Sequence, residues 1–111
     1  MAAEGGTKKD SGKPRICLIP VEAITGCADA LGFGANKYGD YNYRGGLKHT
    51  RLLDSILRHL TSHLQNEEID SESGLPHLSH AIAGLSMLIW MTKHRPDLDD
   101  RYKETKVTDE Q

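Results

Sequence analysis

The sequence predicts an all-α fold: a small protomer of about three main helices that assembles through an apolar C-terminal helix. Apolar residues recur at helical spacing in two stretches, Val21–Leu31 and Leu52–Leu64. A third stretch, Ala81–Met91, is apolar almost all round and must be buried on every side, which asks for a partner chain. Alternation of the β type is confined to Ile16–Ile19.

Residues 1–15 carry only small, polar and charged side chains apart from Met1 and read as a flexible N-terminal tail. Residues 16–95 form the helical folding unit, and residues 96–111 a polar C-terminal tail. A unit of about 80 residues sits near the size at which one core supplies only ~3–5 kcal/mol, a second reason to expect a dimer or tetramer.

Pro20 opens the first helix, whose apolar face is Val21, Ile24, Cys27, Ala28 and Leu31. The spacing predicts failure at Gly32–Gly34, then a loop with a short helical turn at Asn36–Tyr38. Thr50 is the expected N-cap of the second helix, which runs to about Asn66 with Asp54 and Arg58 as an i, i+4 pair. An acidic turn breaks at Gly74, and Pro76 starts the third helix, which ends near His94.

Composition excludes several functions. A net charge of −2 with scattered basic residues is not the footprint of a duplex-binding protein. Cys17 and Cys27 lack metal-type spacing, and no apolar run is long enough to span a bilayer, so a reducing cytoplasm is expected.

Two clusters carry chemistry. The stretch Asn66–Ala81 (NEEIDSESGLPHLSHA) packs Glu67, Glu68, Asp70 and Glu72 beside His77 and His80, which share a helix face at i, i+3. Carboxylates and imidazoles hold divalent cations and move protons near neutrality. Glu67 and Glu68 also sit at a helix C-terminus, where the macrodipole disfavours them unless a cation offsets the repulsion. A bare acidic loop is the plain alternative. His59, one turn before His63, is positioned to join the His77/His80 face as a proton relay or phosphate ligand, with His63 facing solvent. His49 and His94 read as surface residues. A Ser/His nucleophile is disfavoured, Ser73 being better placed to cap the helix after Pro76.

The second cluster, FGANKYGDYNYRGG from Phe33, holds three of the four tyrosines. Lys37 and Arg44 supply charge for phosphate, Tyr38, Tyr41 and Tyr43 can stack on a base, and Asn36 and Asn42 can read base or sugar edges. It is not a P-loop.

In succession, DSGKPRICLIPVEAI, FGANKYGDYNYRGG and RLLDSILRHLTSHLQNEEIDSESGLPHLSHA resemble the phage-associated dATP/dGTP diphosphohydrolase N-terminal domain family, over about Lys9 to Leu88. The most specific pieces are FGANKYG, the pair Arg58–His59, and D-x-E-S-G-L-P-H-L-x-H from Asp70 to His80. The resemblance implies metal-dependent hydrolysis of purine deoxynucleoside triphosphates to monophosphate and pyrophosphate, in a host cytoplasm. By looser analogy with MazG-like pyrophosphohydrolases, it implies Mg²⁺ or Mn²⁺ on Glu67, Glu68, Asp70 and Glu72. Catalysis would fall to His59, Glu68, Asp70, His77 and His80, and nucleotide binding to Asn36, Lys37, Tyr38, Asn42, Arg44 and Arg58. The MazG-like arrangement of E-x-x-E within one helix and E-x-x-D in the next is absent, which favours a second reading: sequestration of a nucleotide or nucleotide second messenger without cleavage. An adaptor role for the apolar last helix is a third.

Overall fold

Three helices are ordered around the last of them. In this computed structural model, which describes residues 5–104, α1 spans Val21–Tyr38, α2 His49–Leu64 and α3 His77–His94. Single 3-10 turns precede α1 (Ile16–Leu18), interrupt the α1–α2 loop (Asn42–Gly45) and follow α3 (Pro96–Leu98). The Ile16–Ile19 segment is therefore a helical turn, and the described residues contain no strand. Both α1 and α2 pack principally on α3. Leu52 and Ile56 of α2 and Ala81, Ala83 and Met91 of α3 are buried, joined by Ala30 of α1.

α2 and α3 come together closely because Gly84 leaves room. A Cβ at Gly84 would lie 2.5 Å from Cγ1 of Ile56, closer than atoms can approach. Gly26 plays the same part between α1 and α3, where a Cβ would meet Ser79 Oγ at 2.7 Å.

α1 does not fail at Gly32–Gly34 as the sequence predicts; it continues for another turn to Tyr38. Each helical glycine costs roughly 0.5–1 kcal/mol. Tertiary contacts beyond them offset this: Phe33 sits edge-on to His80 at 5.9 Å between ring centroids, and Lys37 forms an ion pair with Glu72. The expected turn at Asn36–Tyr38 is the last turn of α1. The chain leaves the helix at Gly39 (φ 94°) and passes through a left-handed Tyr41 (φ 59°).

The start of α2 also differs. Lys48, not Thr50, occupies the N-cap position and makes no side-chain cap. The capping acceptor comes from the far end of the chain: the Asp100 carboxylate accepts from the Thr50 backbone N–H at 2.8 Å and from the Thr50 hydroxyl. A carboxylate is favoured there by the helix dipole. His49, expected at the surface, is 1% exposed, and its Nε2–H donates to the Arg95 carbonyl at 3.0 Å. Burial follows from the chain beyond α3 folding back over the start of α2. His63 and His94 are exposed, His94 stacking on Trp90. No ion pair joins Asp54 to Arg58 among the described residues.

The apolar circumference of α3 is covered only in part. Leu85 is 44% and Ile89 69% exposed, and Val21 and Ile24 of α1 are exposed as well. No described helix is long and apolar enough to cross a membrane.

Candidate functional site

The acidic turn between α2 and α3 is tightly tied. The Asp70 N–H donates to the Leu75 carbonyl, the Gly74 N–H to the Asp70 carbonyl and the His77 N–H to the Glu68 carbonyl, each at 2.8 Å. Asp70 Oδ2 accepts from the Ser73 N–H at 2.9 Å, a side-chain turn of the kind Asp favours, and Gly74 supplies the positive φ of 73°. Ser73 does not cap α3. Its hydroxyl accepts from the Leu75 N–H at 3.1 Å and hydrogen-bonds His80 Nε2 at 2.6 Å.

This turn sets His77 and His80 against His59 of α2. The Nδ1 atoms of His59 and His77 are 2.8 Å apart, and His77 Nε2–H donates to Glu67 Oε1 at 3.0 Å. The His59 and His80 rings stack at 4.7 Å, and His80 Nε2 lies 3.8 Å from Asp70 Oδ2. Burial, followed by the neighbouring His80 and His77, pushes His59 below the usual imidazole range. Burial acts to raise Asp70, but hydrogen bonds from Ser73, with the nearby His80 and His59, outweigh it and hold the carboxyl below its ordinary value.

The four acidic residues do not converge. Glu67 is drawn to His77, Glu72 to Lys37, and Glu68 is exposed and enters the network through its carbonyl. Among the described residues, the atoms suited to one metal ion belong to His59, Asp70 and His77, within 4.8 Å of one another.

A cleft of about 760 Å³ opens above the cluster, with His59, Asp70, Glu72 and His80 on its wall. Of the residues expected to hold nucleotide, Lys37, Tyr38, Asn42 and Arg58 line it, together with Tyr41 and Tyr43. Asn36 and Arg44 do not. The Arg44 guanidinium instead packs over Tyr41 and Trp90, each at 4.2 Å to the ring centroid, and its carbonyl accepts from Arg95. Ser73 as the partner of His80, and Phe33 as its edge, are the site residues that sequence spacing understated. The adjacency of Ser73 to the Gly74 turn was the available signal.

The family model described as dATP/dGTP diphosphohydrolase, N-terminal, matches residues 3–101. The chain belongs to this family. Within it, the chain is 40% identical over 96 residues to a protein of Salmonella phage PMBT28 named dATP/dGTP diphosphohydrolase. The match takes in 86% of this chain and 33% of that relative, so the chain spans about a third of the relative's length. No solved structure matches. The acidic turn and the first residues of α3, from Glu67 to His80, fall inside the matched region.

Proposed function

We propose that this domain binds a purine deoxynucleoside triphosphate, dATP or dGTP, in the cleft and hydrolyses it to monophosphate and pyrophosphate. The observation that carries the reading is one cleft that joins phosphate-type cations and stacking tyrosines to an imidazole–carboxylate cluster. Lys37 and Arg58 meet the phosphates, Tyr38 and Tyr41 offer faces to the base, and Asn42 offers an amide to base or sugar. A water attacks the α-phosphorus in line, the bond from that phosphorus to the bridging oxygen breaks, and pyrophosphate leaves. An imidazole of the cluster takes the proton of that water: His80, or His59 where it is free of metal. A divalent cation such as Mg²⁺ or Mn²⁺ would supply charge neutralisation and a bound water of lowered pKa.

The exposed Leu85 and Ile89 support assembly of the domain as a homo-oligomer through α3. The phage relative supports action in a host cytoplasm.

A second reading draws on the dispersal of the acidic residues. With Glu67 and Glu72 engaged by His77 and Lys37, the cleft lacks a multi-carboxylate cage, which suits retention of a nucleotide or nucleotide second messenger without cleavage. One experiment separates the two. Protein is incubated with each ribo- and deoxynucleoside triphosphate in Mg²⁺, Mn²⁺ or EDTA, and products and denaturation-released ligand are resolved by ion exchange. Monophosphate plus pyrophosphate from dATP or dGTP supports hydrolysis. Intact nucleotide retained one per chain, without product, replaces it with sequestration.

A further inference from the structure

We infer that His59, Asp70 and His77 form a site for a transition-metal ion of the Mn²⁺–Zn²⁺ series, with Glu67 as the outer carboxylate that orients His77. The inference specifies the metal class for the site of the proposed function, yet it stands on geometry that involves no nucleotide.

The hydrogen bonding of His77 is the first argument. Its Nε2–H is committed to Glu67 Oε1 at 3.0 Å, so Nδ1 carries a bare lone pair. That lone pair points at His59 Nδ1, 2.8 Å away. Two imidazole nitrogens meeting at this distance either share one proton or face one cation. With bonds of about 2.0–2.1 Å, 2.8 Å is close to the span of two ligands at about a right angle, and a tetrahedral ion would ask the rings to part by about 0.5 Å. The carboxylate behind His77 is the second argument, because metal-bound histidines characteristically donate their other N–H to such a group. Burial is the third. His77 is 4% exposed, and the backbone N–H of His77 is tied to the Glu68 carbonyl, so the ring has little freedom to turn away.

The donor set chooses the ion. Two imidazoles and one carboxylate suit Mn²⁺, Fe²⁺, Co²⁺, Ni²⁺ or Zn²⁺, whereas Mg²⁺ prefers oxygen ligands and keeps its water. This shifts the metal from the acidic run Glu67, Glu68, Asp70 and Glu72 to the imidazoles, and leaves only Asp70 in common. His59 and Asp70 line the cleft and His77 does not, so the ligand-free side of the ion would face the cleft. His80 stacks on His59 without joining the donor set, and stays available to accept a proton.

Cobalt(II) alone, with no nucleotide present, is the probe. Metal-stripped protein is titrated with Co²⁺ while d–d absorption and heat are recorded, then challenged with Zn²⁺ and with Mg²⁺. The expected result is one Co²⁺ per chain, displaced by Zn²⁺ and not by equimolar Mg²⁺. His59→Asn and Asp70→Asn should each abolish it. Because a buried His77 variant risks misfolding, the third variant is Glu67→Gln, whose side chain is 63% exposed; it should fold and weaken Co²⁺ by about 10–100-fold. Absence of Co²⁺ binding by the folded wild type overturns the inference. So does unchanged binding by His59→Asn and Asp70→Asn, or Mg²⁺ competing on equal terms. None of these outcomes bears on nucleotide cleavage, which the triphosphate panel reads separately.

Discussion

Lys37, in the last turn of α1, forms an ion pair with Glu72 in the α2–α3 turn, and both residues line the cleft. The hydrogen bond to Glu72, then one to Tyr38, holds the ammonium above its ordinary pKa. On the proposed function, Glu72 therefore competes with a phosphate for this cation. Glu72→Gln should tighten nucleotide binding by a few-fold, more at low than at high ionic strength, because the pair is exposed and screened by salt. Equilibrium dialysis at two salt concentrations checks this. Loss of turnover with unchanged binding would instead make Glu72 a metal ligand.

Asp70 has a structural duty as well as a chemical one, and the two can be separated. Asparagine keeps an oxygen that can accept from the Ser73 N–H, so Asp70→Asn should fold with a nearly unchanged melting temperature. Turnover of dATP or dGTP should fall by about 10²–10⁴-fold, the range expected when an essential acid–base or metal-holding group is lost. Wild-type turnover in a folded Asp70→Asn protein would remove the cluster from the reaction.

Arg44 sits outside the cleft lining, packed over Tyr41 and Trp90. Arg44→Lys keeps the charge and loses the planar stack, at a cost of about 0.5–2 kcal/mol. Thermal stability should fall and Trp90 fluorescence should change, while nucleotide affinity stays within twofold of wild type by about. A tenfold loss of affinity without a stability change would return Arg44 to the ligand.

The α2–α3 contact at Gly84 leaves no room for a methyl group. Gly84→Ala should destabilise the domain by about 1–3 kcal/mol despite the better helix propensity of alanine. Ile56→Ala removes both Cγ1 and Cδ1, the atoms that methyl would meet. Although it costs about 2–5 kcal/mol alone, the double variant should lose less than the sum of the two, a coupling that denaturant titration of all four proteins can measure. Strict additivity would show that the two residues do not meet.

The fold-back of the C-terminal segment carries an acid-sensitive component. The side-chain hydrogen bond from Arg101 depresses Asp99 well below its ordinary range, and the one from Thr50 depresses Asp100. Carboxyls with lowered folded pKa stabilise the fold above their unfolded value of about 4 and lose that contribution as pH falls toward the folded value. Melting temperature should therefore decline below about pH 4, and Asp99→Asn with Asp100→Asn should flatten the decline. An unchanged slope in the double variant would dissociate these residues from acid sensitivity.

The helical architecture was legible because Val21–Leu31, Leu52–Leu64 and Ala81–Met91 repeat at the helical period. What escaped came from contacts distant in sequence. Nothing local says that α1 survives Gly32 and Gly34; Phe33 against His80 and Lys37 against Glu72 decide it. Nothing near Thr50 says that its N–H is capped by Asp100, or that this fold-back buries His49. In the site, spacing placed His77 and His80 on one face and His59 near them, which the geometry matches. Spacing could not show that neighbouring carboxylates part company, because Glu67, Asp70 and Glu72 leave a turn whose direction changes at each residue.

His59, Asp70, His77 and His80 all come from α2, the tied turn and the start of α3, whereas Lys37 and Tyr38 come from α1. The imidazole–carboxylate cluster is thus assembled by short-range closure of one helical hairpin, whereas the cations of the cleft wall are shared, Lys37 standing on α1 and Arg58 on α2. On the proposed function, a displacement of α1 would withdraw Lys37 and Tyr38 from a ligand and leave Arg58 in place beside the cluster. Part of the affinity is carried, on that same function, by an element that holds none of the reacting groups, so α1 is free to drift under selection without dismantling the cluster.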